Sequence, residues 1–211
     1  MVPPASDGVI DIAFVRRALQ QPLPGASAQL RMCTRPRVAV ALPEGQKYRD
    51  AGVLVLLYPR AGILTLVLTR RADNLASHGG QISFPGGERE PGDSSLAETA
   101  LRETREELGL APDGLELLGC LTPLEIPVSG FRVHPWVAYL SVTPSFRPDP
   151  REVAELLEVP LSHFLDPASA GEEMRVIRGH EVDVPFYRVG PHKVWGATAM
   201  VLSEIVALLT K

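Results

Sequence analysis

A glycine pair followed by a glutamate-rich helical segment constrains the fold of this chain more than any other part of its sequence. Gly86 and Gly87 end the run Phe-Pro-Gly-Gly, and such a pair predicts a tight turn. Without side chains, the backbone at these positions can approach a metal ion or a phosphate, and a carbonyl oxygen there can act as a ligand. The sequence therefore predicts a turn that leads into a helix and leaves its own backbone open to a ligand.

The helical segment carries three acids on one flank. Glu103, Glu106 and Glu107 stand at positions i, i+3 and i+4, so their side chains project side by side. The adjoining arc of the helical wheel is apolar, while Glu98 and Arg105 fall on the remaining side. The apolar arc consists of Ala97, Ala100, Leu101, Thr104 and Leu108. This pattern predicts a helix docked on a core, with an acidic rim that favours hard divalent cations such as Mg²⁺ or Mn²⁺.

Arg102 borders the acids on the side opposite the apolar arc. From there its guanidinium can fix the carboxylates through charge-assisted hydrogen bonds. Glu98 lies four residues earlier, and we expect it to form a surface pair with Arg102. Ser94 or Ser95 can cap the start of the helix, and Gly109 can end it.

These residues resemble the Nudix hydrolase box. The family pattern is a glycine, an acidic residue, then Arg-Glu-apolar-any-Glu-Glu-any-Gly-apolar, and residues 102–110 read Arg-Glu-Thr-Arg-Glu-Glu-Leu-Gly-Leu. Thr104 stands where an aliphatic residue is usual, and its methyl group still suits a helix packed on a sheet. The spacing from Gly87 to Arg102 is one residue longer than the general box allows, and this longer spacing also occurs in the coenzyme A pyrophosphatase branch of the family.

The longer spacing leaves the usual upstream glutamate of the family without an unambiguous equivalent. Asp93 is the nearest candidate, with Glu88 and Glu90 behind it. Glu152, in a later segment from which many relatives bring an acid to the metals, is a minor further candidate.

A second signature of the same branch lies upstream. The branch pattern is Leu-Leu-Thr-any-Arg-Ser/Ala, then an Arg, a Gly and Phe-Pro-Gly-Gly at fixed distances, and this chain carries most of it. The matching residues are Leu68, Thr69, Arg71, Ala72, Gly80 and the run 84–87. Ala76 stands where the second arginine is expected. Arg70, Lys193 and Arg132 are possible substitutes for that missing cation.

The resemblance implies a fold and a set of roles. The fold is an α+β Nudix sandwich, a mixed β-sheet between helices. Glu103 and Glu107 are then the core metal ligands, Glu106 is a third ligand or the catalytic base, Arg102 holds the carboxylates, and Gly87 offers a backbone carbonyl. The expected substrate-binding residues are Arg71, Arg70, His78 and Gly86.

The resemblance also implies the reaction, with rivals left open. The expected substrate is coenzyme A or an acyl-CoA, cut at its pyrophosphate to 3′,5′-ADP and 4′-phosphopantetheine. One alternative is a Nudix hydrolase of ADP-ribose, NADH or nucleoside triphosphates, which the alanine at position 76 favours. Another is a non-catalytic nucleotide-binding module, although such modules are expected to lose some of the carboxylates that this chain retains.

Composition limits the partners. A chain of 211 residues with 45% hydrophobic and 22% charged residues can build one domain with a substantial core. The formal net charge of −4 argues against non-specific nucleic-acid binding, which needs a basic surface. Since no segment has the roughly 18 uninterrupted apolar residues of a membrane helix and no signal peptide is recognisable, we expect a cytoplasmic protein without a membrane partner.

The remaining patterns predict the other elements and their assembly. Helices are predicted at residues 10–21, 151–157 and 195–209, and strands at 52–57, 63–68, 81–84, 115–124 and 133–142, with two more within 174–188. We expect an N-terminal extension with one helix at residues 1–35 and a Nudix domain at 36–211. Because the first and last helices add more apolar surface than one small sheet needs, we also expect a homodimer.

Overall fold

A computed structural model describes residues 10–37, 42–73, 79–111 and 113–210. The helices are α1 (Ile12–Leu19), α2 (Ala26–Gln29), α3 (Leu96–Leu108) and α4 (Gly196–Leu209). The strands are β1 (Arg49–Arg60), β2 (Ile63–Arg71), β3 (Ile82–Ser83), β4 (Gly86–Glu88), β5 (Leu115–Cys120), β6 (Leu124–Ile126), β7 (Phe131–Leu140), β8 (Val153–Pro160), β9 (Ala170–Ile177), β10 (His180–Val189) and β11 (His192–Trp195).

Among the described residues, the main sheet is mixed and has eight strands. Its path is β3-β2-β1-β7-β5, with β4 on β1, β6 on β7 and β8 on β2. The strands β1 and β7 run parallel, from Arg49↔Phe131 to Leu57↔Tyr139, while β1 and β2 form the predicted antiparallel hairpin. A separate three-stranded sheet has the order β11-β10-β9.

Helices cover both faces of the main sheet. Successive residues of a strand point to opposite faces, so β1 contributes apolar side chains to both. On one face, Leu54 and Leu56 of β1 pack with Ala100 and Leu108 of α3. On the other face, Val55 and Leu57 of β1 join a core cluster that contains residues of α1 and α4. The result confirms the predicted α+β class, with a mixed sheet between helices.

The glycine pair is part of a strand, so the prediction of a tight turn at Gly86 and Gly87 is wrong. These residues pair antiparallel with the first half of β1, Val53↔Gly86 and Gly52↔Gly87. A glycine pair indicates either a turn or a close backbone approach. In this structure the glycine pair allows a close approach of the backbone to neighbouring segments.

The prediction of a helix at residues 151–157 is also wrong, because most of this segment belongs to the strand β8. Its Glu, Ala and Leu residues favour a helix locally, but β8 pairs with β2 from Thr65↔Pro160 to Arg71↔Val153. Val153, Leu157 and Val159 are buried in the strand. Pairing and burial at the sheet therefore outweigh local propensity.

The first and last helices pack within one chain. Val15 of α1 lies in the same core cluster as Ile205, Leu208 and Leu209 of α4. The apolar faces from which the sequence predicts a homodimer are therefore largely buried inside the chain. In the described segments, no helix is both long and apolar enough to cross a membrane.

A wholly buried glutamate fastens the N-terminal segment to α4. Glu204 is 0% exposed, and its Oε1 accepts hydrogen bonds from the Gly25 amide at 3.1 Å and the Thr122 hydroxyl at 2.6 Å. Its Oε2 accepts from Gln29 Nε2 at 2.9 Å. The buried carboxylate is thus surrounded by donors from two other parts of the chain, which offsets the cost of removing it from water.

Candidate active site

The helix α3 has the boundaries that its caps dictate. Ser95 accepts a hydrogen bond from the Glu98 amide at 3.1 Å at the start, and Gly109 adopts the left-handed conformation, with φ 63°, at the end. Glu98 is held by the amide of Ser94 at 2.6 Å. The predicted pair between Glu98 and Arg102 is therefore wrong, because Arg102 has stronger partners elsewhere.

Arg102 is the centre of a network that orders the acids. Its Nε and Nη2 donate to the two carboxylate oxygens of Asp93 at 3.0 and 3.1 Å. Its Nη1 donates to Glu103 at 2.9 Å and to Glu106 at 3.1 Å, and Nη2 also donates to the Glu88 carbonyl at 3.0 Å. One guanidinium thus fixes two of the three helix acids relative to β4, as the sequence predicts.

Both carboxylate oxygens of Asp93 accept hydrogen bonds from Arg102. Its carboxylate also accepts from the Thr99 hydroxyl at 2.9 Å and from the Glu90 amide at 2.9 Å. The hydrogen bonds from Arg102 hold the pKa of Asp93 well below its usual range, against the opposing effect of burial. Among the candidates for the upstream acid, Asp93 is therefore an anchor of Arg102, while the Glu88 side chain pairs with Arg49 at 2.7 Å. The role of Thr99 was not predicted from the sequence.

The glycines of β4 allow the backbone to approach the helix acids. A Cβ atom on Gly87 would lie 2.5 Å from the Glu103 carboxylate carbon. Gly86 has φ 149°, and a Cβ atom there would lie 2.4 Å from the Gly52 carbonyl oxygen. Gly52, which the sequence analysis did not single out, lets α3 lie directly on β1, since its Cβ would be 2.3 Å from the Leu96 carbonyl oxygen. A glycine inside a strand is the signal that could have identified it.

Glu107 is the most deeply buried of the helix acids. Its side chain is 3% exposed, and Arg71 Nη1 lies 3.7 Å from its Oε1. Among the described residues, its Oε2 has no hydrogen-bond partner. Burial raises the pKa of Glu107 to about 8, and the charges of Glu103 and Glu152 add to this, while Arg71 and the Gly86 amide act in the opposite direction. A buried carboxylate beside other acids favours a cation.

Glu103 and Glu106 differ in exposure. Burial also raises the pKa of Glu103, although Arg102 opposes the shift. The Glu103 side chain is 16% exposed and that of Glu106 is 49% exposed. The three acids therefore form a gradient from the interior at Glu107 to solvent at Glu106.

Glu152 lies next to these acids because the chain returns over the end of α3. The amide of Arg147 donates to the Leu108 carbonyl at 2.7 Å, and the amide of Asp149 donates to the Glu107 carbonyl at 2.9 Å. The Glu152 carbonyl then accepts from Ala72 at 2.8 Å. The charge of Glu152 raises the pKa of both Glu103 and Glu107, so this minor candidate lies within electrostatic range of the site.

The predicted substrate-binding residues separate in the structure. Arg71 lies at the acids and Gly86 lies in β4, whereas Arg70, adjacent on β2, points to the other face of the sheet. There it pairs with Asp73 at 2.8 Å and lies 3.6 Å from Glu155. The positions of His78 and Ala76 lie outside the described residues.

The other proposed substitutes for the missing cation are held by acids. Arg132 pairs with Glu125 at 3.0 Å, and Lys193 pairs with Glu173. Neither is shown in contact with the acids of α3.

The donor set fits a hard divalent cation. Within the described segments, no three acidic, histidine or cysteine side chains converge closely enough to hold an ion, and Glu103 and Glu106 both accept hydrogen bonds from Arg102. The available donors are nevertheless carboxylate oxygens beside a backbone that lacks side chains, and Glu107 Oε2 is buried with no hydrogen-bond partner in the described part of the chain. Oxygen donors of this kind suit Mg²⁺ or Mn²⁺ better than thiophilic metals.

Comparisons with known proteins all indicate the same family. A model of the NUDIX domain matches residues 48–182. A Nudix hydrolase of Pectobacterium atrosepticum, named NudL and described as uncharacterized, is 39% identical over 161 residues, which cover 74% of this chain and 81% of that protein. The human mitochondrial coenzyme A diphosphatase NUDT8 is 37% identical over 190 residues, which cover 89% of this chain and 75% of that protein.

A solved structure supports the fold. The MutT protein of Methanosarcina mazei matches with a TM-score of 0.52 at 20% identity, covering 80% of this chain and 99% of that chain. With the domain model, the relatives and the carboxylate helix in agreement, this chain belongs to the Nudix family of hydrolases.

Proposed function

We propose that this protein hydrolyses the pyrophosphate bond of coenzyme A or an acyl-CoA, with Mg²⁺ or Mn²⁺, to give 3′,5′-ADP and (acyl-)4′-phosphopantetheine. The observation that carries the hydrolytic part is the buried Glu107 Oε2, which has no hydrogen-bond partner in the described segments and lies among further acids. The substrate part is supported by the branch signature around Arg71 and by the name of the human relative, a coenzyme A diphosphatase.

In the proposed hydrolysis, the site residues have different roles. Glu103 and Glu107 would hold the metal ions, with Gly87 offering its carbonyl and Glu106 acting as a third ligand or as the base. A bound divalent ion would neutralise the pyrophosphate and lower the pKa of the attacking water. Arg102 orients Glu103 and Glu106, which keeps the acceptor of the water's proton in a fixed place.

Arg71 is the cation that we assign to the entrance of the site. Its side chain is 27% exposed and reaches Glu107 from the end of β2. It can therefore neutralise part of the acidic charge that would otherwise repel an anionic substrate. The cytoplasmic location expected from the sequence stays a prediction.

A substrate panel tests the proposal. Purified protein with Mg²⁺ or Mn²⁺ is offered CoA, acyl-CoA, 3′-dephospho-CoA, ADP-ribose, NADH and nucleoside triphosphates, and the products are identified by mass. We expect CoA to give 3′,5′-ADP with the highest kcat/KM. If ADP-ribose is cleaved better than CoA, and 3′-dephospho-CoA equally well as CoA, the substrate assignment is wrong and the hydrolase assignment stands.

Glu107→Gln serves as the internal check on the site. The variant keeps the size of the side chain and removes its charge, so turnover should fall by orders of magnitude while the metal-free Tm stays equal or rises. Glu98→Gln, on the same helix at its capped start, is the matched control and should retain turnover. Unchanged turnover in Glu107→Gln would exclude this residue from catalysis.

A further inference from the structure

A β-bulge lies at Arg71, where β2 ends. The pairing of β2 with β8 shifts its register between Arg70 and Arg71, and bulges next to active sites often redirect a side chain. Arg70 forms ion pairs with Asp73 and Glu155. In contrast, Arg71 Nη1 lies 3.7 Å from Glu107 Oε1. The two neighbouring arginines thus have separate partners, and Arg71 is the one at the acids of α3.

The contact between Arg71 and Glu107 is longer than a hydrogen bond. Its length of 3.7 Å exceeds the roughly 2.7 to 3.2 Å of an N–H···O bond, whereas Arg102 donates to Glu103 at 2.9 Å. Among the described residues, Arg71 Nε and Glu107 Oε2 are both buried without a hydrogen-bond partner. Since an unpaired buried polar group costs free energy, both side chains would gain from further partners. Arg71 is therefore held to Glu107 less firmly than Arg102 is held to its acids.

Glu107 is also a proposed metal ligand, so two cations share one carboxylate. With a divalent ion on Glu107, the Arg71 guanidinium would lie beside two further positive charges. Burial weakens the screening of charges by water, so the two cations repel each other more strongly here than they would in solution. Arg71 therefore lowers the affinity of the site for an ion as long as its side chain stays at Glu107.

We infer that Arg71 competes with the divalent ion for Glu107 and leaves this acid for a phosphate of the substrate. The Arg71 side chain is 27% exposed and that of Glu107 is 3% exposed, so the guanidinium is able to turn towards solvent while the acid stays in place. Binding of the ion and of the anion is then coupled, and each tightens the other by the same factor. The inference rests on the metal site of the proposed hydrolase and is independent of coenzyme A as its substrate.

Binding of Mn²⁺ in the absence of nucleotide tests the competition without turnover. The electron paramagnetic resonance signal of free Mn²⁺ gives the Kd. Arg71→Gln removes the charge and should tighten binding about tenfold, within the usual range of coupling between two ligands. Arg71→Lys keeps the charge and should have a Kd close to that of the wild-type protein. Arg70→Gln is the matched control, since Arg70 pairs with other acids, and it should leave the Kd unchanged.

The outcomes separate the inference from the proposed function. Equal Mn²⁺ affinity of the wild-type protein and Arg71→Gln would overturn the inference and leave the metal site intact. A wild-type protein that binds no Mn²⁺ would overturn both. Tighter binding in Arg70→Gln as well would mean that any lost positive charge has this effect, and the specific competition by Arg71 would be refuted.

Nuclear magnetic resonance tests the displacement itself. The Nε–H signal of Arg71 is assigned by its loss in Arg71→Gln. Addition of diamagnetic Mg²⁺ should shift this signal and speed its exchange with water, because the side chain leaves a buried position. The Nε–H signal of Arg102 is the internal control and should keep its protection, since it donates to Asp93 at 3.0 Å. An Arg71 signal that stays unchanged while Mg²⁺ raises the Tm would show that the arginine does not move.

Discussion

Two arginines, Arg102 and Arg71, contact the acids of α3 from different sides. Arg102 binds Asp93 and orders Glu103 and Glu106 from the side of β4. Arg71 approaches Glu107 from the end of β2, at 3.7 Å. Arg102 is held by several hydrogen bonds, whereas Arg71 Nε is buried with no hydrogen-bond partner among the residues that the structure describes. Arg102 therefore fixes the positions of Glu103 and Glu106, and we propose that Arg71 contacts the substrate.

At the level of single residues, Asp93→Asn tests the anchor of Arg102. The pKa of Asp93 is lowered in the fold from the ordinary value of 3.8. Its ionised form therefore stabilises the protein above pH 3.8, and this stabilisation is lost as the pH falls through the folded pKa. We expect the variant to lose roughly 1.5 to 3 kcal/mol of unfolding free energy at neutral pH, with a smaller difference in acid.

Urea unfolding at neutral pH and at pH values below 3.8 measures this difference. Glu90→Gln is the matched control, since Glu90 lies 3.9 Å from Arg102 and is largely exposed. A difference between the wild-type protein and Asp93→Asn that is the same at every pH would mean that the charge of Asp93 does not anchor Arg102.

At the level of elements, Gly87→Ala tests the contact between β4 and α3. The added methyl group would lie 2.5 to 2.7 Å from the Glu103 carboxylate atoms, so the carboxylate must move. A displacement of about 1 Å at a catalytic group can reduce turnover about a hundred-fold. Circular dichroism should stay unchanged while kcat falls. Gly92→Ala has no atom within 4 Å of its new Cβ and should retain full activity. If Gly87→Ala does so too, Glu103 needs no fixed position.

The helices and strands differ in how well the sequence alone predicts them. The helix α3, its caps and the flank of acids follow from local spacing, so they could be predicted in detail. β8 could not, because its Glu and Leu residues favour a helix and only its pairing with Thr65–Arg71 makes it a strand. Gly86 and Gly87 were ambiguous in the same way, since the reason for their lack of side chains lies on β1 and α3. Contacts between distant segments are what a single sequence does not display.

At the level of the whole molecule, Glu204→Gln tests how firmly the N-terminal segment is integrated. Glutamine places an NH₂ group where a carboxylate oxygen accepts hydrogen bonds, so it must oppose another donor, either Gln29 or the Gly25 and Thr122 groups. We expect a loss of roughly 1.5 to 3 kcal/mol of unfolding free energy, measured by urea unfolding. Glu116→Gln removes an exposed partner of Arg16 and should cost much less. Equal stability of Glu204→Gln and the wild-type protein would show that this buried junction is dispensable.

The junction at Glu204 has a consequence for the order of events during synthesis. The ribosome releases Gly25 and Gln29 early, but the carboxylate that receives them lies 179 and 175 positions later. Until Glu204 has been synthesised, the Gly25 amide lacks this acceptor, and Gln29 Nε2 has only its second acceptor, the Thr122 carbonyl. This junction between the first helices and α4 therefore cannot form before α4 has been synthesised.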